Sequence, residues 1–188
     1  MDITTVIILI LIPVCIGIML SLVYWTLCLG ISPTPTSPKV KKTLTAIFPS
    51  AINGEVHELG SGWGSLLSAI EAYYPDAPLI AHERSPIPRY FSIITHYLRQ
   101  TKTTITGNNL FDIDLSHAGL VICYLYPGAM KTLSTHFAIM LPDNCWIISH
   151  TFHLPGWAPV NILTAPDLYK TPVYLYRKSK KKSAIAVN

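Results

Sequence analysis

Glu58-Leu59-Gly60-Ser61-Gly62-Trp63-Gly64 is the stretch that decides how this chain folds. Before it, Gly54 to Leu59 reads as a strand. After it, Ser65 to Tyr74 places Leu66, Leu67, Ala69, Ile70 and Tyr73 at helical spacing. A glycine-rich turn from strand to helix lets backbone N–H groups come close to a ligand, because no side chain stands in the way. Leu79-Ile80-Ala81-His82-Glu83 follows as a second apolar run ending in an acid. Glu83 lies nineteen residues after Gly64, near the ~20-residue offset at which a carboxylate reaches ribose hydroxyls in a doubly wound sheet. Loop and acid together point to a nucleotide-like cofactor.

The spacing narrows the cofactor. A dinucleotide fingerprint, G-x-G-x-x-G, needs its third glycine three positions after the second. Here the glycines fall at 60, 62 and 64, with an acid at Glu58. This pattern resembles motif I of class I S-adenosylmethionine-dependent methyltransferases. The resemblance implies a loop that wraps the methionine part of the cofactor, with Glu58 orienting the loop or meeting the cationic end.

With 188 residues the chain holds one ordinary domain plus appendages. Half of it is apolar and 13% is charged, mostly because Ile3 to Ile31 carries no charge. As a helix that run would extend about 43 Å, more than the ~30 Å hydrocarbon core of a bilayer. Residues 1–31 are therefore expected to form a tilted or overhanging transmembrane anchor, with Pro13 a possible kink. Tyr24 and Trp25 suit the interfacial level. A cleaved signal peptide needs a basic start and an apolar core of only ~7–15 residues. This chain begins Met1-Asp2 and its run is longer. Lys39, Lys41 and Lys42 follow the span, so the positive-inside rule predicts a single-pass protein with its domain on the cytoplasmic side, where S-adenosylmethionine is found.

Cys15 and Cys28 lie in the span, and Cys123 and Cys145 in apolar strand-like runs; none forms a C-x-x-C pair. They read as small hydrophobes. The seven histidines are scattered. His150 and His153 have no cysteine or carboxylate beside them to complete a set, so no metal is expected.

Ser32 to Pro38 is a Pro/Ser/Thr linker, too short to let the domain at 39–178 wander from the bilayer. Lys39 to Phe48 reads as a short amphipathic helix, Leu79 to His82 as the second strand and Ile87 to Arg99 as a helix. Thr103 to Thr106 is a β-branched third strand. Leu120 to Tyr126 is nearly all apolar, as a strand buried on both faces should be. Ala129 to Leu141 is the next helix and Cys145 to Phe152 the fifth strand. Val160 to Leu163 and Val173 to Tyr176 close the sheet as a hairpin. The fold class is α/β: a Rossmann-like, seven-strand, doubly wound sheet behind one transmembrane helix. The stretch from Arg177 to Lys182 holds five basic residues in six and opens a solvated tail, 179–188, that could add attraction to anionic lipid. Nucleic acid is not expected as a partner, since no basic patch interleaved with aromatics is present.

Several segments together resemble the membrane-anchored protein-lysine methyltransferases that act on the ATP synthase c subunit and the adenine nucleotide translocase, with their bacterial relatives. They are the anchor, the Pro-rich entry, the glycine loop, Glu83-Arg84-Ser85-Pro86, Asn109 to Leu115, Leu125-Tyr126-Pro127, and Phe152 to Pro159 with its Phe-x-x-Pro-x-Trp-x-Pro pattern. The resemblance covers nearly the whole chain. It implies that Glu58, Gly60, Ser61, Gly62 and Gly64 hold the methionine end of S-adenosylmethionine and Glu83 the ribose, with Arg84 beside it. Asn109 and Leu110 would border the adenine. Tyr126 and Pro127 would line the catalytic position, and Phe152, Trp157 and Pro159 the acceptor channel. Its implied partners are the lipid bilayer and a membrane-associated protein substrate. Three departures stand out. Trp63-Gly64-Ser65 replaces the family's common Asp-Gly-Arg, Asn109 stands where an acid is usual, and Tyr126 and Gly128 flank Pro127 where the family varies. The Asn109 side-chain oxygen can still accept a hydrogen bond from the adenine amino group.

Tyr126 and Trp157 could equally serve packing. Other readings of the chain are a degenerate methyltransferase-fold interaction module, a nicotinamide oxidoreductase, and a methyltransferase for a lipid or small molecule. The glycine spacing disfavours the second.

Overall fold

The computed structural model describes residues 2–179. The twelve elements are α1 (Ile3–Leu29), α2 (Pro38–Ala46), β1 (Glu55–Leu59), α3 (Leu67–Tyr73), β2 (Leu79–His82), α4 (Pro86–Leu98), β3 (Thr104–Thr106), β4 (Ala118–Cys123), α5 (Pro127–Met140), β5 (Trp146–His150), β6 (Asn161–Thr164) and β7 (Pro172–Arg177). Three helices, α2, α4 and α5, open on proline, whose fixed φ and missing N–H suit the first helical position. α1 runs unbroken through Pro13 and ends at Gly30, which takes the left-handed conformation of a helix C-cap.

The strands form one sheet in the order β3-β2-β1-β4-β5-β7-β6. β1 to β5 are parallel, while β7 runs antiparallel to both β5 and β6. The sheet is therefore mixed at one edge, because the short β6–β7 connection permits only an antiparallel pair. Every residue of β4, the central strand, is buried. One face of the sheet packs Val56, Leu120 and Ile148 against α2 and α3 through Leu44, Leu67 and Ile70. The other packs Leu59, Val121 and Ile147 against α5 through Met130, Leu133 and Phe137.

Two boundaries bear on function. β4 stops at Cys123, so Tyr124 to Tyr126 turn off the sheet at its carboxyl edge instead of extending the strand, and Pro127 opens α5. α3 begins only at Leu67, because turns occupy the residues after Gly60. At the C-terminus, Arg177 and Lys178 do not belong to a solvated tail. Arg177 ends β7 with its guanidinium 4.8 Å from the centre of the Trp146 ring. The buried Lys178 ammonium donates to the carbonyls of Phe137, Ala138 and Leu141 at 2.6–3.3 Å, closing the carboxyl end of α5. Residues 180–188, most of the expected tail, lie outside the described residues.

Candidate active site

At the carboxyl edge of the parallel strands, where open α/β sheets take their ligands, β1 runs into the glycine loop. Gly60, Gly62 and Gly64 all have positive φ, from 54° to 77°. Gly64 has a second reason to be glycine, since a Cβ there would collide with Ser92 Oγ of α4. The N–H groups of Gly60 and Ser61 donate to the His82 carbonyl at 2.9 and 3.1 Å, tying the loop to the end of β2.

Glu83 completes that tie. Its Oε2 accepts from Gly62 N and its Oε1 from Ser85 N, both at 2.7 Å. Burial pushes its carboxyl up, while the Ser85 and Gly62 N–H groups and the Arg89 guanidinium pull it down. Glu58 has no such partners. It is buried, Oε2 makes no hydrogen bond, and burial together with the nearby Glu83 charge raises its pKa to about 8 against a smaller pull from Lys41. Ser61 Oγ and Ser85 Oγ are likewise buried without partners. With no partner its charged form is disfavoured, and a cation placed against it would favour that form.

A cavity of about 150 Å³ joins these groups. Glu58, Gly60, Ser61, Gly62, Glu83, Arg84, Asn109, Leu110 and Tyr126 all line it. Asn109 Nδ2 donates to Asp112 Oδ2 at 2.8 Å, leaving the amide oxygen as its available acceptor. Gly64 and Pro127 stand just outside the lining, in the turn and at the start of α5.

The structure does not bring Phe152, Trp157 and Pro159 into the cavity. Trp157 packs on the α5 side, and its Nε1 donates to the Ser134 carbonyl at 3.1 Å. Pro159 is exposed. Phe152 is one layer back, its ring nearly parallel to Tyr124 at 6.3 Å. Tyr124, which the sequence leaves without a role, and His150, read from it as an ordinary polar position or at most pocket lining, supply the aromatic wall instead, stacked at 4.3 Å and both lining the cavity. Burial lowers the His150 pKa to about 4, so this wall is uncharged.

The roof is the other feature absent from the sequence reading. Trp25, Cys28 and Leu29 of α1 and Ser32 to Thr34 of the linker line the same cavity. Trp63 holds them there, since its Nε1 donates to the Pro33 carbonyl at 2.5 Å, and Ser65 Oγ accepts from Thr36 N at 3.1 Å. The departures at 63 and 65 thus dock the linker. The Tyr126 ring lies against Gly30, where a Cβ would stand 3.2 Å from it. Only the shortness of the linker hinted at this in the sequence.

The histidines also hold a pair that sequence separation concealed. His57 Nδ1 and His82 Nε2 share a hydrogen bond of 3.1 Å between adjacent strands, flanked by Glu55 and Thr106. Burial depresses both, with His57 adding to the effect on His82, which falls to about 4. Cys123 and Cys145 are buried thiols raised to about 12 by burial. Among the described residues, no three His, Cys, Asp or Glu side chains group as a metal site.

The model of the ANTKMT methyltransferase domain family matches residues 58–161, from the acid before the glycine loop to the start of β6 and more than half of the chain. The chain belongs to that family. It is a class I methyltransferase with S-adenosylmethionine as cofactor, and the oxidoreductase reading falls. A protein-lysine N-methyltransferase of Saccharolobus islandicus (strain REY15A) is 24% identical over 145 residues, 76% of this chain and 90% of that protein. Among solved structures, an RNA methyltransferase from Salinibacter ruber in complex with S-adenosyl-L-homocysteine superposes with a TM-score of 0.67 at 20% identity, over 82% of this methyltransferase and all of that chain. Magnesium protoporphyrin IX methyltransferase from Synechocystis PCC 6803 with bound S-adenosylmethionine gives 0.56 at 16% identity, covering 74% and 76%. These likenesses show the fold.

Proposed function

We propose that this methyltransferase is anchored in a membrane by α1 and methylates a lysine of a membrane-associated protein. The observation that carries the proposal is the roof. The last turns of an apolar helix form one wall of the cavity that holds Glu58 and Glu83. None of the α1 side chains is buried, and from Ile3 to Leu20 all are exposed. That stretch is about 27 Å long, close to a hydrocarbon core. A core helix of a soluble domain would be buried, and removal of a signal sequence would strip the cavity of Trp25, Cys28 and Leu29. Lys39, Lys41 and Lys42 favour a cytoplasmic domain. The likeness to a protein-lysine N-methyltransferase supports the acceptor class.

In this reading Glu58 pairs with the cationic end of the cofactor and the glycine loop wraps its methionine part. Glu83 keeps a second lone pair on each oxygen for the ribose hydroxyls, with Arg84 at the rim. Asn109 accepts from the adenine amino group beside Leu110. Bound S-adenosylmethionine supplies an electrophilic methyl on sulfur for in-line displacement. The chain's own work is alignment, which can be worth ~7–11 kcal/mol. An acceptor amine entering between Tyr124, Tyr126 and His150 meets uncharged rings. Desolvation there lowers its pKa from the ordinary ~10.4 and frees its lone pair. The aromatic faces then stabilise the methylated cation. Phe152, one layer behind Tyr124, holds the wall upright. Pro127 fixes the turn that presents Tyr126.

Incubating the full chain with methyl-labelled S-adenosylmethionine and membranes tests this. Label in a membrane protein that hydrolyses to methyl-lysine is expected. Label confined to extractable lipid would contradict the lysine assignment.

A further inference from the structure

Helix α4 is amphipathic in the sense opposite to that of a helix closing a domain. Its inward face is Pro88, Ser92 and His96, all buried. Its outward face is Tyr90, Phe91, Ile93, Ile94, Tyr97 and Leu98, all exposed, up to 80% at Tyr97. At 3.6 residues per turn these six fall within an arc of about 160°, so they form one stripe, the kind of exposed apolar patch that marks an interaction surface.

Two observations say what covers it. α1 lies against α4, and the Arg84 guanidinium sits 5.8 Å from the centre of the Trp25 ring, so the stripe continues from the exit of the apolar helix. The charge carried by this segment is of one sign as well, the nearby acids lying inward of it, Glu71 at the buried His96 and Glu83 buried at the glycine loop. From Arg84 to Phe111 the chain has no Asp or Glu but carries Arg84, Arg89, Arg99 and Lys102. Arg89 lies 5.3 Å from the Tyr90 ring centre and Arg99 donates to Ser68 Oγ, while Arg84 and Lys102 are exposed. Tyrosine, phenylalanine and isoleucine rimmed by cations is the composition of an interfacial helix on anionic lipid.

We propose that α4 is a second membrane contact, its aromatic-aliphatic stripe lying in the headgroup boundary of an anionic bilayer beside the end of α1. The proposal rests on α1 being a membrane anchor. Phe91 packs edge-on against Trp63 at 5.3 Å, and Trp63 in turn holds the linker at Pro33. Seating α4 therefore fixes the glycine loop, the linker and the roof as one unit and sets the height of the cavity above the bilayer.

The test uses the full chain in vesicles of phosphatidylcholine and phosphatidylglycerol with brominated acyl chains. A bimane fluorophore is attached at Ile94→Cys or Tyr97→Cys in a chain that also carries Cys15→Ser and Cys28→Ser, and at Cys15 in a chain that carries Cys28→Ser, since both native thiols are exposed. Ile139→Cys, exposed on α5, is the control in the same Cys15→Ser, Cys28→Ser chain. Quenching at 94 and 97 within about twofold of that at Cys15, with none at 139, is expected for a face lying ~5–10 Å into the boundary. Quenching at Cys15 with none at 94 or 97 overturns the seat and leaves the anchor standing. Absence of quenching at Cys15 as well overturns both. Protection of 94 and 97 from an impermeant maleimide without quenching would mean that a second copy of the chain covers the stripe, and overturns the lipid assignment.

Discussion

The two sides of this molecule treat their buried polar groups in opposite ways. On the α5 side Lys178 meets three carbonyls, Trp157 donates to Ser134, and the Tyr176 hydroxyl accepts from Leu154 N at 2.9 Å. Around the glycine loop and α4, Glu58, Ser61, Ser85 and Ser92 each bury a side-chain oxygen with no partner; the one other such atom among the described residues is the ring nitrogen Nδ1 of His136, on α5. Buried polar atoms are normally paired, so one side is a finished core and the other is built to receive something. The helices repeat the contrast. α5 turns Met130, Leu133 and Phe137 inward, whereas α4 turns Ser92 and His96 inward and its aromatics outward.

Substitutions on the two sides should therefore differ in size and in kind. The largest effect belongs to the finished side. Phe137→Ala empties a fully buried position and should cost about 3–5 kcal/mol of stability in denaturant unfolding; a loss below ~1 kcal/mol would break the contrast.

Next is Glu58. Its folded pKa of about 8 lies above the ordinary 4.5, so the folded state holds the proton that the unfolded state releases. The stability tied to that proton is present below the unfolded pKa and is lost as pH rises toward the folded one. The size of the loss is on the order of 3 kcal/mol between about pH 5 and 8. The buried His57, His82 and His150, all lowered, contribute the opposite slope up to about pH 6.5. The Glu58 contribution is therefore read as the difference between the parent and Glu58→Gln across pH. Parallel curves would show that Glu58 is not held protonated.

Glu83→Ala removes the acceptor for Gly62 N and Ser85 N. It should destabilise by about 1–3 kcal/mol and abolish S-adenosylmethionine binding by calorimetry. Full binding in this variant would move the ribose contact elsewhere. The smallest effect is expected on the outer face of α4. Ile94→Ser in detergent should shift stability by no more than ~0.5 kcal/mol, and a large loss would mean that the stripe packs within the fold.

Most of the architecture was legible because each element carried its own signal. β2 is bounded by Leu79 and His82 as its apolar run is, and the glycines at 60, 62 and 64 form the turn out of β1 that their place after an apolar run suggested. What failed to show was direction and distance. The Ile87 to Arg99 pattern announces an amphipathic helix without saying which face meets the sheet. Close packing of Ser92 on Gly64 settles that, and it is a tertiary fact. The wall made by Tyr124 and His150 joins residues from two strand ends, and the His57–His82 bond joins two strands; no local period encodes either. Trp157 had a strong motif around it, yet its indole is occupied by Ser134. Trp63 read as a lost acidic contact and is instead the clasp for the linker.

The most direct test is calorimetric titration of S-adenosylmethionine into the full chain at pH 7, repeated in buffers of different ionisation enthalpy. If the cavity takes the cofactor with its cationic end on Glu58, binding should release close to ~1 proton in the parent and none in Glu58→Gln. Binding without proton release, or no binding by the folded protein, would contradict it.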